Sequence, residues 1–256
     1  MLNILAHPPI ALIRCRYTLM TKYNKSSADH SSRISAVLFD LDGTLLDTAP
    51  DMTNALNRLL QEEGKQPLSY EHCRDHVSHG SIAMVTLGFG EHQPADELER
   101  RRQRFLHLYE KNLCVDTKCF DGMDETLQFL EEQGIHWGVV TNKPAFLTDP
   151  LLQQLGLYER ACSVISGDTI EQRKPDPAPM YLAAEQCACL ATDCIYVGDA
   201  QRDIEAGNRA NMRTLIASYG YIDAGQIPRE WGANGVVEHP SEILDWLDVA
   251  QNSLQT

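Results

Sequence analysis

Ala36-Val37-Leu38-Phe39-Asp40-Leu41-Asp42-Gly43-Thr44-Leu45-Leu46-Asp47-Thr48 is the stretch whose reading decides the fold. Four apolar residues lead into Asp40, and so short an apolar run followed by turn chemistry predicts a buried parallel strand. The strand ends on two carboxylates spaced i, i+2. In extended backbone that spacing sends both side chains to the same side, so Asp40 and Asp42 are expected to face one space. Two bare carboxylates that close repel, and one of them would have to hold its proton. A divalent cation removes the conflict, and hard oxygen ligands suit magnesium. Gly43 then lets the chain leave the strand through a conformation closed to other residues. A lone D-x-D reads more readily as an acidic turn, so the rest of the chain has to decide.

The chain has 256 residues, enough to bury a full core in one large domain or two unequal ones. Its net charge of −14 argues against nucleic acid or an anionic membrane as partner. A small phosphorylated metabolite stays compatible, because a metal ion and one lysine reverse the field locally. The eight cysteines form no C-x-x-C pair, which disfavours zinc and predicts free thiols in a reducing cytoplasm. No apolar run reaches transmembrane length, and residues 1–12 lack the basic start of a signal peptide. A cytoplasmic monomer or homodimer is the expectation. Residues 21–33 are polar and serine-rich, so residues 1–33 are expected to be a disordered extension without assigned function, and Met20 offers an internal start.

Behind the acidic strand the period becomes helical. Met52, Ala55, Leu56, Leu59 and Leu60 share one face of a helix over 51–63 that stops at Gly64. Ser69 is expected to cap a short helix ending near Gly80, and Ser81–Leu87 a further segment. A long helix over 95–112 carries Leu98, Phe105, Leu108, Tyr109 and Asn112 on one stripe. Its Arg100, Arg101, Arg102 and Arg104 read as a solvated face. Residues 48–118 are therefore expected to be all-helical.

From Phe120 helices and strands alternate, with strands expected at His136–Thr141, Ser163–Ser166, Ile195–Val197, Thr214–Ile216 and Val236–Val237. Pro150 falls in the helical segment before Gly156, at its first turn or as a kink. This alternation predicts an α/β fold, a doubly wound, Rossmann-like parallel sheet with helices on both faces. Its core would comprise residues 34–47 and 119–256. Ligands of such sheets bind beyond the carboxyl ends of the strands. Asp40, Thr141 and Asp199 each stand at such an end.

Those ends offer one chemistry. A carboxylate is ionised at neutral pH, so Asp40 can attack phosphorus without an activating base. Asp42 is placed to give the leaving alkoxide its proton and then to take one from water. Thr141 offers a hydroxyl, Asn142 an amide and Lys174 an ammonium to the phosphoryl charge. Asp199 would complete a metal shell with Asp40, and Asp203, one helical turn on, would bind the ion or orient its water.

Taken together, F-D-x-D-G-T-L-x-D-T, Thr141-Asn142, Lys174-Pro175-Asp176-Pro177 and Gly198-Asp199 followed by Asp203 resemble the four motifs of the haloacid dehalogenase-like hydrolase superfamily. The likeness spans residues 34 to about 245, and the helical insert resembles that superfamily's small α-helical cap. The resemblance implies Asp40 as nucleophile, Asp42 as general acid/base, and Thr141 and Lys174 on the phosphate. It implies magnesium on Asp40, the Asp42 carbonyl and Asp199, with Asp203 in support.

Asp42 disfavours the dehalogenase branch, which lacks the second aspartate, while mutases keep it and are excluded only weakly. A non-catalytic module on the same fold would be expected to have lost one of Asp40, Asp42, Lys174 or Asp199. The pattern is most similar to the phosphoglycolate phosphatase group, and within it to the branch acting on N-acetylmuramic acid 6-phosphate. Trp137-Gly-Val-Val-Thr-Asn-Lys-Pro144 and Trp231-Gly-Ala-Asn-Gly-Val-Val-Glu-His-Pro240 carry that second likeness. The resemblance thus implies a phosphomonoesterase, with that amino-sugar acid as first expectation and 2-phosphoglycolate as the alternative. In the insert, His79 and Gly80, followed by Ser81, form the turn expected to face the substrate.

Overall fold

The structure is a computed structural model that describes residues 34–252. The expectations for residues 1–33, including disorder, lie outside the described residues. Residues 36–39 form the expected strand, β1 (Ala36–Phe39), all four buried. The chain then turns through Asp40–Leu45 into β2 (Leu46–Asp47), which pairs antiparallel with β3 (Lys118–Cys119). Between these two short strands lie α1 (Ala49–Glu62), α2 (Tyr70–Arg74), α3 (Gly80–Phe89) and α4 (Ala95–Lys111).

The remaining elements alternate. They are α5 (Met123–Glu132), β4 (His136–Val140), α6 (Ala145–Gln154), β5 (Ser163–Ile165), α7 (Ala178–Gln186), β6 (Cys194–Gly198), α8 (Gln201–Arg209), β7 (Arg213–Ala217), β8 (Gly235–Val237) and α9 (Ile243–Asn252). The main sheet has the order β5-β4-β1-β6-β7-β8, and every pairing in it is parallel. β1 is central and flanked by β4 and β6, so the chain reverses direction across the sheet at β1, the place where such folds open their ligand crevice.

Side chains alternate about β1 as the pleat requires. Val37 and Phe39 join a core with Leu127 of α5, Leu151 of α6 and Ile243 of α9. Ala36 and Leu38 join a second core with Met180 and Ala183 of α7 and Ala206 of α8. Both faces are thus covered, which is why the strands read as continuous apolar runs. The first core continues through Leu41, Leu45 and Ala49 into the helical insert, where Met52, Leu56, Leu59 and Leu60 are buried as their spacing predicts.

Asp51, in the first turn of α1, ties the two ends of the insert together. Its buried carboxylate accepts from the backbone N–H of Val115 and Thr117 at 3.0 Å and from the Thr117 hydroxyl at 2.7 Å.

Several expectations change at this level. Ser69 does cap a helix, its hydroxyl accepting from His72 N–H, but that helix stops at Arg74 and a 3₁₀ turn covers Val77–His79. Asn112, placed on the apolar stripe, is exposed and donates to the carbonyl of Leu108 at the end of α4. Pro150 lies inside α6, past its first turn. The expectation of free thiols fails for one pair, since Cys162 and Cys187 form a disulfide. Spacing gave no warning, because the contact arises only when α7 packs on β5 and brings the two Cα atoms to 5.2 Å. Among the described residues no helix is long and apolar enough to cross a membrane.

Candidate active site

Three adjacent strands deliver the predicted acids and hydroxyl to one place. Asp40 follows β1, Thr141 follows β4 and Asp199 follows β6, and all three are buried. Gly43 makes the turn beneath them possible. Its φ is +85°, and a Cβ there would stand 2.0 Å from Asp199 Oδ2, so no other residue fits without displacing the carboxylate.

Asp40, Asp199 and Asp203 each offer a carboxylate oxygen within 4.8 Å of the others, all three buried. Asp203 Oδ2 accepts from the N–H of Ala200, and Asp199 Oδ2 from the Ser78 hydroxyl at 2.7 Å and the Tyr221 N–H at 2.9 Å. Asp199 Oδ1 is buried without a hydrogen-bond donor, while Asp203 Oδ1 faces the Lys174 ammonium.

Lys174 is the cation among them. Its ammonium lies 2.8 Å from both Asp40 Oδ1 and Asp203 Oδ1. Its well-aligned hydrogen bonds go to the Val140 carbonyl and the Tyr196 hydroxyl. Three buried carboxylates against the Lys174 ammonium and the nearby Arg202 guanidinium still leave a deficit of positive charge. Burial, and then the charges of Asp40 and Asp203, push the Asp199 carboxyl up to about 7. Burial likewise raises Asp203 against the pull of Lys174. An orphaned buried oxygen on Asp199 in an under-compensated acidic cluster fits a divalent cation with oxygen ligands.

Asp42 lines the same cavity as Asp40 and is tied differently. Its Oδ1 accepts from the Thr48 hydroxyl at 2.7 Å and from Lys143 Nζ at 2.8 Å. Lys143 also donates to the hydroxyl of Tyr109 on α4, at 2.9 Å. Burial alone would lower the Lys143 pKa, but Asp42 and Tyr109 outweigh it and hold the ammonium above its ordinary range. Burial pushes the Tyr109 phenol up to about 12, so it stays neutral.

The structure brings Asp40, Asp42, Thr141, Asn142, Lys174, Asp199 and Asp203 together at the sheet's carboxyl edge, and it gives one of them a further part. The Asn142 amide, which lines the cavity, donates to the Lys174 carbonyl at 3.0 Å and accepts from the Lys174 N–H at 3.1 Å. That clamp fixes where the ammonium emerges. His79 and Gly80 line the cavity above Asp40 and Asp42, whose volume is about 300 Å³. His79 is exposed at its rim, and burial of part of the ring with Arg202 nearby lowers its pKa.

Sequence reasoning missed Ser78, Lys143 and Arg202. Ser78 lies one residue before the expected turn, and its hydroxyl reaches Asp199 while its carbonyl accepts from the Arg202 guanidinium. Lys143 follows Thr141-Asn142 directly, so position alone could have flagged it. Arg102 was also misread with its neighbours, for it lines the cavity.

Residues 37–217 match the family model described as haloacid dehalogenase-like hydrolase. The chain is 41% identical over 218 residues to the N-acetylmuramic acid 6-phosphate phosphatase of Pseudomonas aeruginosa, covering 85% of this chain and 96% of that one. It is 43% identical over 210 residues to a phosphoglycolate phosphatase of Xanthomonas campestris, covering 82% and 95%. A crystal structure described as that of a predicted phosphoglycolate phosphatase from Haemophilus somnus superposes with a TM-score of 0.74 at 25% identity, covering 83% of this chain and 97% of that one. With that extent of match, and with all four motifs gathered at one sheet edge, this chain belongs to the haloacid dehalogenase-like hydrolases and, within them, to the phosphoric monoester hydrolases.

Proposed function

We propose that the chain hydrolyses the phosphomonoester of a small metabolite through an aspartyl-phosphate on Asp40, with N-acetylmuramic acid 6-phosphate as its substrate. The observation that carries the chemistry is the cluster itself, a buried carboxylate at the end of the central strand with an ammonium, a hydroxyl and a second carboxylate around it. Asp40 forms a bond to phosphorus as the ester bond breaks, and Asp42 gives the departing alkoxide its proton. Asp42 then takes a proton from the water that attacks the phosphoenzyme, releasing inorganic phosphate and restoring both carboxyl groups. Lys174, held in register by Asn142, and the Thr141 hydroxyl bind the phosphoryl oxygens.

Asp40, the Asp42 carbonyl and Asp199, with Asp203 behind them, would hold magnesium, which when bound neutralises charge on the phosphoryl group. Residues 48–118 act as the cap, and Ser78 and Tyr109 are the cap side chains that meet the catalytic acids and Lys143. By excluding water, that cover protects the phosphoenzyme and strengthens every charge interaction beneath it.

The sugar-acid reading is supported by the relatives of that name in two Pseudomonas species, at 41% and 42% identity over 85% of the chain. Relatives named phosphoglycolate phosphatase stand at similar identity and keep 2-phosphoglycolate as the second reading. The test is kcat/KM for the two esters side by side, with magnesium and with EDTA. A preference for the sugar acid, lost in EDTA, is expected. A preference for phosphoglycolate replaces the substrate reading, and undiminished turnover in EDTA overturns the metal.

A further inference from the structure

Four residues of α4, Arg102, Phe105, Leu106 and Tyr109, line the cavity at the i, i+3, i+4, i+7 spacing of a single helix face. At the inner end, Tyr109 touches Lys143, which touches Asp42, so this end lies beside the ester oxygen that is to be cleaved. Arg102 lies seven residues toward the N-terminus, about 10 Å along the axis at 1.5 Å per residue.

The other arginines of α4 are engaged elsewhere. Arg100 and Arg101 pair with Glu63, and Arg104 pairs with Glu62 at 2.7 Å, all on α1 or at its end. Arg102 turns away from α1. Its Nε and Nη2 donate to the Glu99 carboxylate at 2.7 and 2.9 Å, which draws the guanidinium back along the helix, away from Tyr109. Nη1 makes no hydrogen bond among the described residues, so the outer edge of the fork is open to a second acceptor. The remaining cations of the wall are occupied or at the mouth: Lys143 by Asp42 and Tyr109, Arg202 by the Ser78 carbonyl, while Arg173 is exposed.

We infer that Arg102 is a specificity-determining residue, binding a carboxylate that the substrate carries on the side opposite its phosphate. The inference rests on the reading of the site as a phosphomonoesterase. Planar bidentate recognition is what a guanidinium edge offers a carboxylate. Between the two charged ends, Leu106, backed by the buried Phe105, presents an apolar wall suited to the C–H face of a sugar ring. A two-carbon acid cannot bridge that span, because its carboxyl carbon lies two bonds of about 1.5 Å from the ester oxygen. A hexosamine 6-phosphate bearing a lactyl ether at its third carbon places the whole ring between its anionic groups. The chemistry that fits is therefore a sugar-sized phosphomonoester with a distal carboxylate.

The experiment compares kcat/KM for N-acetylmuramic acid 6-phosphate with that for N-acetylglucosamine 6-phosphate, the same amino sugar without the carboxylate. It uses wild type, Arg102→Ala, Arg102→Lys, Arg173→Ala and Arg104→Ala, with magnesium present. The wild-type preference for the carboxylated ester is expected to fall about tenfold to a hundredfold in Arg102→Ala, carried by KM, the range a charge-assisted hydrogen bond supplies. Arg102→Lys should recover part of it, and Arg104→Ala should keep the wild-type ratio. Wild type without the preference, an unaltered ratio in Arg102→Ala, or loss of the ratio in Arg173→Ala instead would overturn the assignment. If wild type hydrolyses neither these esters nor p-nitrophenyl phosphate, the reading of the site as a phosphomonoesterase fails rather than the role of Arg102.

Discussion

Removing an active-site carboxylate should stabilise the metal-free protein. Asp199 is buried beside Asp40 and Asp203, and its carboxyl is carried from the ordinary 3.8 up to about 7. An acid whose folded pKa lies above its unfolded one binds its proton more tightly in the native state. Below about pH 4 both states hold that proton, and Asp199 adds nothing to the pH dependence. Between about pH 4 and 7 only the native state holds it, so stability falls by 1.36 kcal/mol per pH unit, reaching about 4 kcal/mol above pH 7.

Asp199→Asn removes this cost while keeping an oxygen to accept from Ser78 and Tyr221. In EDTA the variant's advantage over wild type should thus grow from about pH 4 to 7 and then level off, reaching up to about 10 °C in Tm for a domain of this size. Magnesium should narrow that advantage at pH 8, because it binds the ionised carboxylate and stabilises wild type by about 2.7 kcal/mol at a hundred times its Kd, offsetting over half of the roughly 4 kcal/mol. Thermal unfolding across pH, with and without magnesium, measures both. A variant less stable than wild type in EDTA at pH 8, or a difference independent of pH, would refute the reasoning.

Two further substitutions have expected outcomes of their own. Lys143→Met leaves Asp42 with only the Thr48 hydroxyl and should lower kcat about a hundredfold, the lower range of general acid–base catalysis, with the fold intact by circular dichroism. Asp51→Ala removes the acceptor shared by the Val115, Asp116 and Thr117 N–H groups; it should cost about 3 kcal/mol in urea unfolding while leaving a wild-type KM.

What the sequence made legible was the part built on backbone periodicity. Asp40, Thr141 and Asp199 could be placed at strand ends because an apolar run stops just before each of them, and parallel strands gather their ends on one edge. Their neighbours across the gap were not legible, since Ser78 and Tyr109 meet Asp199 and Lys143 only once the insert packs over the sheet. Arg102 was hidden for a different reason. Four arginines in five positions look alike in composition, and only the partners Glu62 and Glu63, supplied by α1, show which of them face away from the cavity. Asn142 shows a limit of residue type, because an amide offers a donor without saying which carbonyl will take it. The pairing of Cys162 with Cys187 depends on how α7 meets β5, which no spacing rule encodes.

The central claim is that Asp40 carries the phosphoryl group. Rapid acid quench during turnover, followed by peptide mass analysis, should find one phosphoryl group on the peptide containing Asp40 in wild type, and none in Asp40→Asn, which should also be inactive. Full activity in Asp40→Asn, or a phosphoryl group trapped on any other residue, would contradict the account.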